Sequence, residues 1–190
     1  MASWWTKLVV MFKGKEVAIL GPRSSGKTTL YHLLAHGQPP SKSEATVTAE
    51  KTDVFRNREL GLNIRRGVDL PGADRAYPQW RSQFSRSDIV LYLFDSQLLR
   101  TDPEYGRRVR QDGKEMERWG CSGKRIFLIG THADLDPRCT ELGADKYAAE
   151  ILDEDVLFSL SHRVKASGSV VGSLTSSRSA VALLHPVLGG

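Results

Sequence analysis

Apolar residues along this chain gather into short continuous runs, separated by longer stretches in which they recur at helical spacing. The run Val17, Ala18, Ile19 and Leu20 within Glu16–Leu20 predicts a fully buried strand, because both of its faces are apolar. Thr28–His36 follows with Leu30, Leu33 and Leu34 on one helical face. Thr46–Phe55 and Leu60–Asp69 read as two half-exposed strands joined by the polar turn Arg56-Asn57-Arg58, and therefore antiparallel. Ile89–Asp95 and Arg125–Gly130 are two more buried strands, with a helix predicted between them at Tyr105–Trp119. Ala144–Val164 reads as helical, in one or two pieces. Ser169–Gly172 is a short last strand and Arg178–Leu188 a final helix.

Continuous apolar strands alternating with helices predict an α/β fold, with a mostly parallel, roughly six-stranded sheet covered on both faces. Such sheets bind ligands in the loops beyond the carboxyl ends of their strands. Residues 15–190 are expected to form that single domain. Residues 1–14 stand apart as an amphipathic segment. Trp4, Leu8 and Met11 share a helical stripe with Trp5, Val9 and Phe12 beside it, and Leu8–Phe12 could equally be an extra strand.

The net charge of +5 is a mild basic bias with acidic residues interspersed. Arginines occur singly or in pairs, with no basic stripe interleaved with aromatics, so no nucleic-acid partner is expected. No run approaches the ~20 apolar residues that span a bilayer. A secretory leader, a myristoylation site (Ala2 stands where glycine is needed) and a prenylation cysteine are not expected either. The expected location is the cytoplasm, with any membrane contact weak, peripheral and made through Trp4 and Trp5. Cys121 and Cys139 have no metal-ligand spacing and read as reduced bystanders.

Three motifs carry chemistry, each at the end of a predicted strand. Gly21-Pro22-Arg23-Ser24-Ser25-Gly26-Lys27-Thr28 matches GxxxxGK[ST] between a strand and a helix, the context this phosphate-binding loop requires. Its glycines let backbone N–H groups curl toward phosphate, and the helix N-terminus adds partial positive charge. Gly21, Arg23, Ser24, Ser25, Gly26, Lys27, Thr28 and Thr29 are therefore the expected phosphate cradle. Lys27 is the expected reach to the β- and γ-phosphates, and the Thr28 hydroxyl an expected Mg²⁺ ligand. Asp69-Leu70-Pro71-Gly72 is a DxxG. Its Asp69 could hold Mg²⁺ through a water, and the Gly72 N–H could meet a γ-phosphate. Thr131-His132-Ala133-Asp134 is the third. Asp134 there can accept the N1–H and exocyclic amine of guanine, a pattern adenine lacks, or it can cap a helix.

The order of these motifs resembles the small GTPases, most closely the ADP-ribosylation-factor type and the β-subunit of the signal-recognition-particle receptor. The resemblance runs over nearly the whole chain. It includes the stem Phe12–Glu16, the strand Ile89–Asp95 with Ser96, and a second-switch-like stretch from Asp69 to Arg75 followed by Tyr77-Pro78-Gln79-Trp80-Arg81 and Phe84. It implies the three-layer P-loop fold, GTP and GDP with Mg²⁺ as ligands, and regions that respond to the γ-phosphate. It also implies a first-switch threonine, Thr46 or Thr48, with Thr48 preferred as Mg²⁺ ligand and catalytic group beside Lys27. For the last base loop the choice is Ser173-Leu174 within Gly172–Thr175, with Ser159-Leu160-Ser161 the alternative.

This chain also departs from the family pattern. Ala73 stands where the family has the glutamine that orients the attacking water, so slow hydrolysis is expected. Thr131 and His132 replace the first two residues of NKxD, which removes a lysine stem that packs on the base. The expected activity is slow GTP hydrolysis. A GTP-locked interaction module, or a P-loop ATPase, is the alternative. An effector or regulator is expected at the switch regions, with Trp80 and Phe84 either exposed as its anchor or packed inward.

Overall fold

The computed structural model describes residues 12–40, 54–57, 62–66 and 73–188. Their strands are β1 (Glu16–Leu20), β2 (Val54–Asn57), β3 (Leu62–Arg66), β4 (Ile89–Asp95), β5 (Arg125–Thr131) and β6 (Gly168–Val171), in one sheet of order β2-β3-β1-β4-β5-β6. Only β2 runs antiparallel, paired with β3. β1, β3, β4, β5 and β6 are parallel to one another, so their carboxyl ends gather at one edge. The polar turn expected at Arg56-Asn57-Arg58 does not include its first two residues. Arg56 and Asn57 are still in the ladder, opposite Asn63 and Leu62, because interstrand hydrogen bonding outweighs their turn preference.

The helices are α1 (Lys27–His36), α2 (Ala73–Arg86), α3 (Ser96–Thr101), α4 (Pro103–Trp119), α5 (Pro137–Leu142), α6 (Ala144–Leu152), α7 (Asp155–Val164) and α8 (Ser177–Leu188). They pack in two layers. Leu30, Leu33 and Leu34 of α1 and Leu183 and Leu184 of α8 cover one face, against Val17, Ile19, Leu91, Leu93 and Ile129. α2, α4, α6 and α7 cover the other, against Ala18, Leu20, Val90, Tyr92 and Leu128. Every residue of β4 is buried, as expected of a central parallel strand covered on both faces.

Local chemistry sets several boundaries. Asp102 caps α4 by accepting the Glu104 N–H at 2.9 Å, with Pro103 at the first helical position. The stretch Ala144–Val164 is two helices, broken where Asp153 and Glu154 leave the first before Asp155 begins the second. α3 and α5 escape the periodicity argument, because six residues are too few to show a helical stripe. No helix among the described residues is long and apolar enough to cross a membrane.

Candidate functional site

β1 ends at Leu20, and the next six residues turn the chain into α1. The turn needs unusual backbone at Gly21 (φ 142°), Ser24 (φ 64°) and Gly26 (φ 82°). A β-carbon at Gly21 would sit 2.1 Å from the carbonyl oxygen of Leu93 in the adjacent strand. No side chain fits there. Gly26 caps α1 without a side-chain hydrogen bond. Lys27 is buried, and its Nζ donates to the carbonyl of Pro22 at 2.7 Å, which lays the ammonium across the loop it follows. Ser25 Oγ is fully buried with no hydrogen-bond partner among the described residues. Arg23 and Ser24 are exposed, and Thr28 and Thr29 are half-buried.

The loop after β5 meets this turn from the side. Thr131 Oγ1 lies 3.1 Å from the carbonyl oxygens of both Ser25 and Phe94, so it ties the phosphate-type loop to two strands. His132 adopts a left-handed conformation, φ 61°. Its Nδ1 lies 2.8 Å from Thr131 Oγ1 and 3.1 Å from Asp95 Oδ2. Asp134 is exposed on a single 3-10 turn, Ala133–Leu135. The Ala133 N–H donates to Gly172 O at 3.1 Å, and the Gly172 N–H to Gly130 O at 2.9 Å, which binds this loop to the one after β6. Ser173 and Leu174 lie on that second loop. Leu174 is buried and Ser173 Oγ sits 3.2 Å from Thr175 Oγ1.

These three loops enclose a cavity of about 410 Å³. Of the residues singled out from sequence, Gly26, Thr29, Thr131, His132, Asp134 and Leu174 line it. Thr175, at the end of the expected last base loop, lines it too, as do Pro39, Pro40 and Leu135, which the sequence reading did not single out. Leu135 carried a usable signal, as an apolar residue directly after Asp134 on a polar turn; it is 57 % exposed. The alternative last loop, Ser159-Leu160-Ser161, is inside α7.

The helix-cap alternative for Asp134 is not what the structure shows. Asp136 caps α5 instead, accepting the Arg138 N–H at 3.0 Å. Asp136 also accepts from Arg100 at 2.8 and 3.1 Å and faces the Tyr147 hydroxyl at 3.0 Å. Burial alone would raise its carboxyl, but the Arg100, Arg138 backbone and Tyr147 hydrogen bonds hold it below the usual carboxylate range. Burial pushes the Tyr147 phenol up to about 12. Ser96 joins this network to the site, donating to Thr131 O at 2.7 Å. The loop after β5 therefore rests on a charged, hydrogen-bonded foundation.

Trp80 and Phe84 are not exposed anchors. They are 1 % and 0 % exposed, on the inner face of α2 with Ala76 and Tyr77. Helical spacing of three and four residues aims all four at the sheet. Thr46, Thr48, Asp69, Gly72, Trp4 and Trp5 lie outside the described residues, and Ala73 is described only as the first residue of α2.

The residues present fit a phosphate-bearing ligand: a buried ammonium, a buried hydroxyl with no partner among the described residues and a helix N-terminus converge on one loop. Among the described residues no cluster of three or more His, Cys, Asp or Glu could hold a metal. An oxygen donor such as Thr28 suits Mg²⁺, which keeps several waters and uses ligand phosphates rather than a protein cage.

No protein-family model matches the chain. Curated sequence relatives match over parts of it. An uncharacterized ABC transporter ATP-binding protein, YvcR of Bacillus subtilis, is 41 % identical over 54 residues, 28 % of this chain and 21 % of that protein. A phosphate import ATP-binding protein, PstB 2 of Natronomonas pharaonis, is 32 % identical over 114 residues, 60 % of this chain and 34 % of that one. The chain thus spans about a third or less of the length of these relatives. Solved structures match far more completely. The ADP-ribosylation-factor-like GTP-binding protein, or small COPII coat GTPase, Sar1 of Encephalitozoon cuniculi with GDP superposes at TM-score 0.61 and 16 % identity, over 98 % of this chain and 85 % of that one. A dimerization-deficient Toc33 from Arabidopsis thaliana gives TM-score 0.59 at 16 % identity, over 90 % and 78 %. A GTP-binding protein from Sulfolobus solfataricus with GDP gives 0.51 at 16 % identity, over 89 % and 48 %. With the loop Gly21–Thr28 between β1 and α1 and a superposition that spans nearly the whole chain, the fold of this chain is that of the small P-loop GTPases.

Proposed function

We propose that this chain is a guanine-nucleotide switch that binds GTP and GDP with Mg²⁺ and hydrolyses GTP slowly. The observation that carries the reading is the convergence of Gly26 and Thr29, of Thr131, His132 and Asp134, and of Leu174 and Thr175 on one cavity beside the buried Lys27. A diphosphate on the first loop would leave its base in that cavity, with Asp134 on the rim to accept the N1–H and amine of guanine. Arg23, Ser24, Ser25, Gly26 and Thr28 would contribute loop contacts, and Lys27 would stabilise charge on the transferred phosphoryl group. Thr28, Thr48 and Asp69 would hold Mg²⁺ directly or through water. Ala73 carries no group that could orient a water, hence the slow rate.

Ala73 also favours a second reading, a GTP-locked module whose output is partner binding. Here α2, with its aromatics packed inward, would present its polar outer face to the partner. Residues 1–14 would add weak, reversible membrane contact through Trp4 and Trp5, the rest of the chain being a cytoplasmic nucleotide-binding domain.

Chromatography of the nucleotide extracted from the purified protein tests these readings, followed by GTP turnover of wild type and Ala73→Gln in competition with ATP. GDP on the wild type, with turnover that glutamine accelerates, is the expected result. GTP retained without turnover would establish the locked module. Displacement by ATP as effective as by GTP would overturn the role of Asp134 and align the chain with its ATP-binding sequence relatives.

A further inference from the structure

We propose that the cleft between α3, α4 and α7 is a second ligand site, which takes a small phosphomonoester with an apolar body. The cleft shares no lining residue with the cavity beside Lys27, and the site stands independently of the nucleotide reading.

The cleft has a volume of about 440 Å³, a size that suits a small molecule. Three arginines line it, Arg100 from α3 with Arg107 and Arg110 from α4, and no acidic residue does. The planar fork of arginine matches phosphate oxygens in a way that the point charge of lysine does not. Arg100 is held in place: its Nε and Nη2 donate to the Asp136 carboxylate at 3.1 and 2.8 Å, which leaves Nη1 for another acceptor. Arg107 pairs with Glu104 one turn away, and both are exposed, so a dianion can displace that weak contact. Arg110 makes no ion pair or hydrogen bond among the described residues. Three residues apart on one helix, Arg107 and Arg110 are neighbours whose repulsion a shared dianion relieves. Of the carboxylates just before Val156, Asp153 and Asp155 are exposed to water and Glu154 is half-buried, and none of them lines the cleft.

The floor is apolar, formed by Leu99 and Val156 with Gly106 of α4. Glycine inside a helix is unfavourable relative to alanine, and packing does not demand it here. A β-carbon at Gly106 would meet only Val156 Cγ2, at 3.7 Å, which is an ordinary contact. Gly113, two turns further along α4, is the contrast: a β-carbon there would lie 2.7 Å from Leu160 Cδ1. Gly113 is required by the packing of α4 on α7. Gly106 is not, and its missing side chain keeps the floor open beneath the arginines.

The test is an NMR titration of the full chain with phenyl phosphate, inorganic phosphate and benzyl alcohol. Wild type should bind phenyl phosphate with a dissociation constant of about 1 mM, about tenfold tighter than inorganic phosphate, because the ring covers the apolar floor. Benzyl alcohol, a ring without the anion, should bind about tenfold more weakly than phenyl phosphate. Arg110→Ser, at an exposed position, should weaken phenyl phosphate about tenfold. Lys114→Ser removes an exposed cation one turn further along α4 and should change it by less than about twofold. Gly106→Leu should abolish binding by filling the floor, and Gly106→Ala should raise the thermal midpoint while weakening phenyl phosphate about threefold. Phenyl phosphate that fails to bind wild type, or binds no tighter than inorganic phosphate, would overturn the site. Equal losses in Arg110→Ser and Lys114→Ser would replace it with diffuse surface charge. Binding lost in Lys27→Ala but kept in Arg110→Ser would move the ligand to the loop after β1 and overturn it equally. A thermal midpoint lowered by Gly106→Ala would show that packing does require the glycine, and the open floor would lose its support.

Discussion

At Gly21 two strands approach so closely that a hydrogen is all the backbone can carry, because the Leu93 carbonyl occupies the place of a side chain. Gly21→Ala must push β4 or the loop aside. It is expected to lower stability by about 2 kcal/mol or more, read by urea unfolding, and to abolish nucleotide binding. The sequence marked Gly21 through its motif, but the contact that makes glycine obligatory comes from β4, a partner visible only once Leu20 pairs with Tyr92. Lys27 shows the same division. Its identity was legible, whereas its burial and its bond across the loop to Pro22 follow from how the loop closes.

α2 shows how an element overrides a residue-level expectation. Two aromatics four residues apart could face either way, and the structure turns them inward because α2 lies against β1 and α4. Trp80 meets Tyr77 edge-on, and Phe84 meets Trp119 of α4 likewise. Trp80→Ala should cost about 3–5 kcal/mol of stability by chemical denaturation. Behind them Asp112 of α4 accepts from the hydroxyls of Tyr77 and Tyr92, each at 2.8 Å, and from Arg108 at 3.1 Å. Burial raises the Asp112 carboxyl despite the opposing effects of Arg108 and the two tyrosines. A group raised in the folded state supports stability most fully below its unfolded pKa, and that support is lost as pH rises through the folded value. Asp112→Asn should therefore flatten this part of the pH dependence of unfolding, measured by urea titration from acid to neutral pH. A variant with an unchanged slope would show that another group sets it.

Across the whole molecule, the parallel strands bring the loops after β1, β5 and β6 to one edge, where a ligand can touch all three at once. A ligand that binds only the folded chain must stabilise it. GDP at about one hundred times its dissociation constant should add about 2.7 kcal/mol, read as a rise in the thermal midpoint, and ATP at the same concentration should not. A rise with ATP equal to that with GDP would contradict guanine selection.

The strand and helix sequence, the parallel sheet and the phosphate loop were legible because each is written in local spacing: apolar runs for buried strands, helical stripes between them, and glycines beside Lys27. α3 and α5 were not, being too short for periodicity to register. Nor could spacing show that Asp136 rather than Asp134 caps a helix, that Leu135 and the Pro39-Pro40 pair share a cavity with His132, or that Trp80 points inward. Those depend on which distant segments become neighbours. The one-dimensional pattern determined what this chain can form, and the packing of its layers decided which side chains meet, because burial and hydrogen bonding act between residues far apart along the chain.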